Sequence, residues 1–540
     1  MPTAVISAFD GLNPSTDPVL LDQGAAQTAN NVKLLSGALA PLNGTTALKA
    51  LTKSAPKTIY RYGNSSVETE HWLEFLNRTD VMRSPITNNQ YGMLYWSDGV
   101  QPKYAPGELI LSGSSYPGAS YNLGIPAPIS KPTVGGTIPN EAAKSVTLTA
   151  VYTYVSAYGE EGPPSPAASV GTIDPKDDIT ISTMSVAPSG PYNIVTKRIY
   201  LSSTVGSNAE FQFWREVPVA TVSQTGEYDQ SLLGELLPST DWVAPPAGLR
   251  GLKMMANGIA VGFVENTAYA SEPNLPHAWP HQYTSDYPIV GVGTFGQSAA
   301  FLTNSFPYIL SGVDPAAMSF EKLSLPQACV SVDSIVETGN AVYYASPDGL
   351  VVISSSGIDI VTKGLLTPDQ WRSYNPSSIK AVSHENRYFA TYQMLDGTRG
   401  VLIFDFSGAG AKFTTSSINS ASAITAMHYD SRADTLYLAQ GTNIVRYDRG
   451  SVLSYTWRSK VFRFGHPLNL GFGQVVASSY PVTMRVYADG QLRVTKTVTD
   501  NNLFRLPSGF RATDWELELV GSSKITQTML TTSTAEAKVN

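Results

Sequence analysis

Between residues 250 and about 453 one pattern returns five times, at spacings of about 40–50 residues. A short apolar stretch is followed by a turn and then a second short stretch. The first stretches are residues 258–263, 299–303, 341–345, 387–392 and 435–439. The second are residues 267–270, 308–310, 350–353, 401–405 and 444–448. Asp348-Gly349 and Asp396-Gly397 fall in the turns between them, where a reversed hairpin wants residues that accept positive φ. A repeat of this length built of hairpins is the pattern of propeller blades. Each hairpin has an apolar face that only the next one can cover. Such a chain is expected to fold as a ring of blades, closed by joining an early blade to a late one so that no sheet edge stays free.

Composition agrees. Charged residues make up 15% of the chain, against roughly 25% in an average globular protein, while Gly 44, Pro 36 and Tyr 28 suit many short strands and tight turns. A chain of 540 residues exceeds what one core organises, so several domains are expected.

Residues 1–55 read as an N-terminal arm with turn signals at Asp10-Gly11 and Asn13-Pro14. Within it, residues 21–32 are the best candidate for a short helix, and the arm is expected to lie on other domains or on a neighbouring subunit. Residues 56–125 alternate in short runs and are expected to form a first blade and linker. Residues 126–247 open on Pro126-Ala127-Pro128 and close on Pro245-Pro246. Inside lies a long strand over 146–158, running into the loop Gly159-Glu160-Glu161-Gly162-Pro163-Pro164-Ser165-Pro166. A strand of alternating aromatics followed by such a loop resembles fibronectin type III domains and implies an inserted β-sandwich. Residues 248–454 hold the remaining blades. Residues 455–540 form a C-terminal β domain with Asp489-Gly490 at a hairpin turn; the tail after Lys524 is expected to fray. The fold class is therefore all-β: a multi-domain β-propeller of about six blades, with the inserted sandwich and the C-terminal β domain.

Sites of chemistry are few. No Gly-rich phosphate loop, nucleophile elbow or zinc quartet occurs in the sequence. His277 and His281 stand four apart, a ligand spacing only on a helix, and Pro276 and Pro280 argue against a helix. A packed loop anchored by Trp279 is the better reading. Asp174, Asp177 and Asp178 lack the spacing of a calcium loop and read as a solvated turn. Tyr343, Tyr344, Trp371 and Tyr374 could stack on a sugar, but aromatics in sheets are more often core. Residues 314–319 and 367–371 carry helix-start chemistry and read as connections between blades. Cys329 is the single cysteine, so no intrachain disulfide forms, and it reads as a small buried residue. No catalytic, cofactor or metal residues are assigned and no cofactor is expected.

No apolar run reaches the roughly 18 residues of a membrane span. The first residues lack the basic and apolar regions of a signal peptide. With a net charge of −7 and a pI near 5.5, the chain lacks the basic patch of a sequence-reading nucleic-acid binder.

The stretches 9–14, 27–32 and 36–39 resemble the start of virion proteins of tailed phages and prophages, as do 249–252, 257–259, 271–280 and 345–350 farther on. By architecture the chain is most similar to the tail nozzle (tail tube distal) proteins of short-tailed phages. The resemblance implies a structural, non-enzymatic virion protein, assembled in the host cytoplasm. It implies a homohexameric ring below the portal, docked on an adaptor (head-to-tail connector) protein. Tail fibres or spikes attach outside, and double-stranded DNA passes through without sequence recognition. No long fibre-docking segment is evident, a departure from the family. An acidic balance suits a DNA conduit, since a basic lumen would retain passing phosphates. Two other functions compete: a receptor-binding adhesin for host surface glycan, and a propeller-type polysaccharide hydrolase using acids distant in sequence.

Overall fold

The computed structural model describes residues 3–34, 36–137, 146–169, 171–174, 177–203, 210–406 and 412–535. Among them strands dominate, and the longest helix is the single piece Pro368–Ser373. The chain divides into two compact units. The first comprises Met1–Arg78, Leu302–Tyr308 and Lys322–Asn540; the second comprises Thr79–Phe301 and Ile309–Glu321.

Six sets of four antiparallel strands are the propeller-type blades. In the second unit they begin with Asp80–Arg83, Leu94–Ser97, Lys103–Ala105 and Tyr121–Asn122. Next comes Arg250–Met254, Ala260–Val264, Thr267–Ala270 and His281–Thr284. A third set, Ile289–Phe295, Ser298–Thr303, Tyr308–Ser311 and Ser319–Lys322, contains the residues at which the chain changes unit. In the first unit follow Val336–Glu337, Ala341–Ala345, Leu350–Ser354 and Gly357–Ile360, then Lys380–His384, Arg387–Gln393, Arg399–Asp405 and Lys412–Ser416. The sixth set takes Ile424–Asp430, Thr435–Gln440 and Asn443–Arg446 from late in the chain and Thr46–Ala50 from its beginning. In the five sets from Arg250 onward, the two stretches that recur in the sequence are the two middle strands. The first of the two, as in Ala260–Val264, Ser298–Thr303 and Thr435–Gln440, is covered on both faces, so both of its side-chain rows are apolar; the second, as in Thr267–Ala270 and Tyr308–Ser311, alternates between covered and partly exposed residues.

The segment 56–125 does not form one blade. Thr58–Arg61 and Trp72–Phe75 pair as a hairpin in the first unit, and the four-stranded set starts at Asp80 in the second.

Within 126–247 the chain makes a sandwich of two sheets. One is Thr133–Gly135, Asp178–Ser182 and Gln224–Glu227; the other is Gly171–Ile173, Val146–Ser156, Ile194–Ser203 and Gln212–Pro218. Leu148, Tyr152, Tyr154, Ile179, Ile181 and Ile199 fill the space between them. The first and last strands of this module both flank Asp178–Ser182, which ties its entry to its exit.

The N-terminal segment is not an arm laid over finished domains. Thr3–Ile6 pairs with Ile525–Thr531, so the tail after Lys524 is a paired strand through Thr531 instead of a frayed end. The expected helix at 21–32 is also absent: Ala26–Asn30 is a strand. It pairs antiparallel with Tyr455–Ser459 and parallel with Lys412–Ser416, joining the fifth blade to the C-terminal sheet. Ala26 and Ala29 are fully covered there, and small side chains let the neighbouring strands close over them. Pairing on both edges outweighs the modest helix preference of an Ala- and Gln-rich stretch. Asn31 ends the strand at φ 58°, a conformation Asn tolerates, and its Oδ1 accepts from the Ser416 hydroxyl (2.9 Å) and the Ser417 amide (3.0 Å).

The C-terminal domain packs Trp457, Trp515, Leu517 and Met484 of one sheet against Val475, Ile525 and Leu530 of the other, together with Ala4 and Ile6. Phe9 meets Trp457 edge-on at 5.0 Å. Asp489-Gly490 turns the hairpin between Val482–Ala488 and Gln491–Val498, both residues at positive φ. The connections at 314–319 and 367–371 start helical turns as expected. Asp314 caps a short 3-10 turn, and Thr367 and Gln370 form a reciprocal capping box on Pro368–Ser373.

Candidate functional site

Three loops of the second unit meet around a cavity of about 490 Å³. The first spans 86–93, between the first two strands of the Asp80–Asn122 set. The second is the turn Tyr158–Gly159–Glu160 that follows the long strand Val146–Ser156. The third is the turn 274–277 before His281–Thr284.

Each loop is held by its own polar side chains. Asn89 Oδ1 accepts from the backbone amides of Tyr91 (3.1 Å) and Met93 (3.3 Å), which leaves its amide nitrogen as the group it can offer. Ser156 Oγ accepts from the amides of Tyr158 and Glu160 and donates to the Glu160 carboxylate, all at 3.2 Å. Gly159 supplies the left-handed φ of 80° that this tight turn needs. In the third loop the Trp279 indole donates to the Pro276 carbonyl at 2.6 Å, and Trp279 is buried as the anchor that the sequence suggested.

The two histidines flagged there part company. His281 Nε2 lies 3.0 Å from the Glu272 carboxylate on the strand. His277 is buried against Trp242, with ring centroids 5.6 Å apart, and its Nε2 has no hydrogen-bond partner. Burial pulls its pKa down to about 4, so it is neutral near pH 7.

Tyrosines form the cavity's apolar wall. Tyr91 meets Tyr158 edge-on at 4.8 Å, and Tyr95 stacks on Tyr104 at 6.1 Å behind them. Glu160 sits among these rings. Burial pushes its carboxyl up to about 7, against the hydrogen bond from Ser156 that favours the charged form.

A second cavity, of about 380 Å³, lies in the first unit between the fourth and fifth blades. Tyr343, Tyr388, Phe406 and Arg387 line it, with Tyr343 stacked on Phe406 at 5.0 Å. The other aromatics flagged with Tyr343 do not join it. Tyr344 and Trp371 are core, the Trp371 indole donating to the Ser346 carbonyl at 2.8 Å, and Tyr374 packs against Tyr392. Among the described residues no group of three or more His, Cys, Asp or Glu is placed to hold a metal ion. Cys329 is buried, and burial pushes its thiol up to about 12, so it stays protonated.

The buried acids are consumed in joining strands. Asp430 bonds Arg61 at 3.0 Å and Arg432 at 2.9 Å. Burial alone would raise its pKa; the two guanidiniums outweigh that and hold it at about 2. Glu161 accepts from Thr153 (2.6 Å), Tyr200 (2.7 Å) and Arg198 (3.0 Å) on two adjacent strands of one sheet. Glu516 and Glu518 pair with Arg458 and Arg485 on neighbouring strands. Glu74 takes the backbone amides of Thr52 and Lys53.

Repeated four-stranded sets with their middle strands buried, and a first strand borrowed to complete the last set, define an all-β protein of the propeller type. No family model and no curated protein matches the chain. Among solved structures, BamB from Moraxella catarrhalis aligns with 59% of this chain and 90% of its own length, at 12% identity and a TM-score of 0.25. PorZ, a surface component of the type-IX secretion system of Porphyromonas gingivalis, aligns with 90% of this chain and 71% of its own length, at 11% identity and a TM-score of 0.25.

Proposed function

We propose that this chain is a structural component of a phage tail. In this reading its copies form a homohexameric ring, the nozzle, below the portal and its adaptor; DNA leaves through the ring and fibres attach to it. The observation that carries the reading is the locking of the chain's ends. Thr3–Ile6 closes onto Ile525–Thr531, and Thr46–Ala50 closes onto Asn443–Arg446. Strands from early and late in the chain that hold each other resist peeling, as a part under load during ejection requires. The bonding of its buried acids to neighbouring strands fits the same role, as does the resemblance of 9–14, 27–32 and 271–280 to tail proteins. A net charge of −7 suits a conduit that must not retain phosphate.

The test is assembly and location. The protein purified with its adaptor, viewed by negative-stain electron microscopy, is expected to form a six-fold ring. Peptides of the chain are expected in purified virions by mass spectrometry. A protein that stays monomeric with the adaptor and is missing from virions overturns the proposal.

A further inference from the structure

We propose that the cavity walled by Tyr91 and Tyr158 in the second unit binds a neutral sugar, about a disaccharide in size, on an aromatic wall with a polar rim. This goes beyond the tail reading and does not rest on it. Two segments that the sequence marked separately, the loop after the long sandwich strand and the His277–His281 motif, meet at this one cavity.

The chemistry of the lining selects the ligand class. At about 490 Å³ the cavity lies within the range of small-molecule sites, about 300–1,000 Å³. Tyr91 keeps 39% of its surface exposed and meets Tyr158 edge-on, so aromatic surface is open to the C–H face of a pyranose ring. Around that wall stand the amides of Asn88, Asn89, Gln90 and Asn274. An amide both donates and accepts, as vicinal hydroxyls do. Asn89 is fixed in one orientation by the two backbone amides it caps, so its donor is already in place before a ligand arrives. Glu160 is held by Ser156 in the same way and adds a carboxyl group to the four amides. Burial keeps this carboxyl close to half-protonated at neutral pH, so it too can donate or accept. Among the described lining residues there is no Lys or Arg, and Glu160 is the one acid. A phosphate, sulfate or acidic sugar would meet no countercharge and one carboxylate. An apolar ligand would strand the amides. Hydrolysis of a glycosidic bond would ask for two flanking carboxyl groups where one is present.

The test is saturation-transfer difference NMR on the full chain. The neutral probes are lactose, maltose, cellobiose and N,N′-diacetylchitobiose; the anionic probes are 3′-sialyllactose and glucose 1-phosphate. At least one neutral disaccharide is expected to bind with a Kd of about 1 mM or below. Tyr91→Ala, at an exposed side chain that the fold does not need, is expected to weaken that binding about tenfold or more. Asn274→Gly, at a φ of +61° that glycine accepts, is expected to weaken it less, by about three- to tenfold. Melting temperatures of the variants confirm that they fold. Tyr343→Ala, in the other cavity, is expected to leave binding unchanged. Three outcomes overturn the proposal: no neutral probe bound at about 10 mM, binding of the anionic probes alone, or a bound sugar lost in Tyr343→Ala and kept in Tyr91→Ala.

Discussion

At the scale of single residues, the interior of this protein carries ionisable groups whose burial makes stability depend on pH in two opposite ways. His277 and His384 are both pulled from 6.5 down to about 4, chiefly by burial, and in His384 also by Arg387. The stability they contribute is whole above pH 6.5 and is lost as pH falls through 4, because the unfolded chain takes up the protons first. Each shift corresponds to roughly 3 kcal/mol. Glu160 runs the other way, from 4.5 up to about 7. Its contribution is whole below pH 4.5 and is lost as pH rises through 7. The carboxyl is largely buried, so this shift too corresponds to roughly 3 kcal/mol. Urea denaturation followed from pH 4 to pH 8 is expected to give a stability that climbs between pH 4 and 6.5 and then sags. His384→Phe should flatten the acid limb and Glu160→Gln the alkaline one. An acid limb equally steep in His384→Phe removes that residue from the account. The sequence flagged His277 and the loop holding Glu160, but not what they share. Their proximity brings together two loops more than a hundred residues apart, Tyr158–Glu160 and 274–277, and no local pattern records it.

At the scale of elements, legibility followed burial. The first middle strand of a repeated blade is visible because both of its faces are covered: Ala260–Val264 and Thr435–Gln440 are buried along almost their whole length. Outer strands such as Ser319–Lys322 and His281–Thr284 are largely exposed and mixed in composition, and nothing in their sequence distinguishes them from loop. Ala26–Asn30 was misread for a related reason. Its partners lie about four hundred residues away, so the pairing that makes it a strand leaves only two covered alanines in the local sequence. Close approach between elements is easier to test than to read. Gly251 has φ +66°, and a Cβ there would stand 2.6 Å from Val292 Cγ1 and 2.8 Å from the Phe263 ring. Its amide also donates to Asp80 Oδ2 at 2.7 Å, linking the first blade to the second. Gly251→Ala is therefore expected to cost about 2 kcal/mol or more, from the left-handed backbone and the overpacking together. The urea midpoint measures it. A neutral substitution would mean that the strand shifts freely at this junction, contrary to the packing described.

At the scale of the whole molecule, the first unit is assembled from chain segments that lie at opposite ends of the sequence. Thr3–Ile6, Ala26–Asn30 and Thr46–Ala50 each pair directly with strands from beyond residue 411. The expected division into arm, blades and C-terminal domain separates what the fold interleaves, because composition changes along the chain while strand pairing reaches across it. Contacts of such separation close last and carry a large loop-closure cost, so the unit gains its stability only when its final strands are in place. Removing residues 455–540 takes Trp457, Trp515 and Leu519 out of the core and leaves both Thr3–Ile6 and one edge of Ala26–Asn30 unpaired. Unpaired edges of this kind pair with other chains. The truncated protein is expected to elute as aggregate on size exclusion and to lose its cooperative thermal transition by circular dichroism, even though all six blades retain their own strands. A soluble monomer with a sharp melt would mean that the blades stand without the C-terminal domain, and that the interleaved ends decorate the fold and do not hold it.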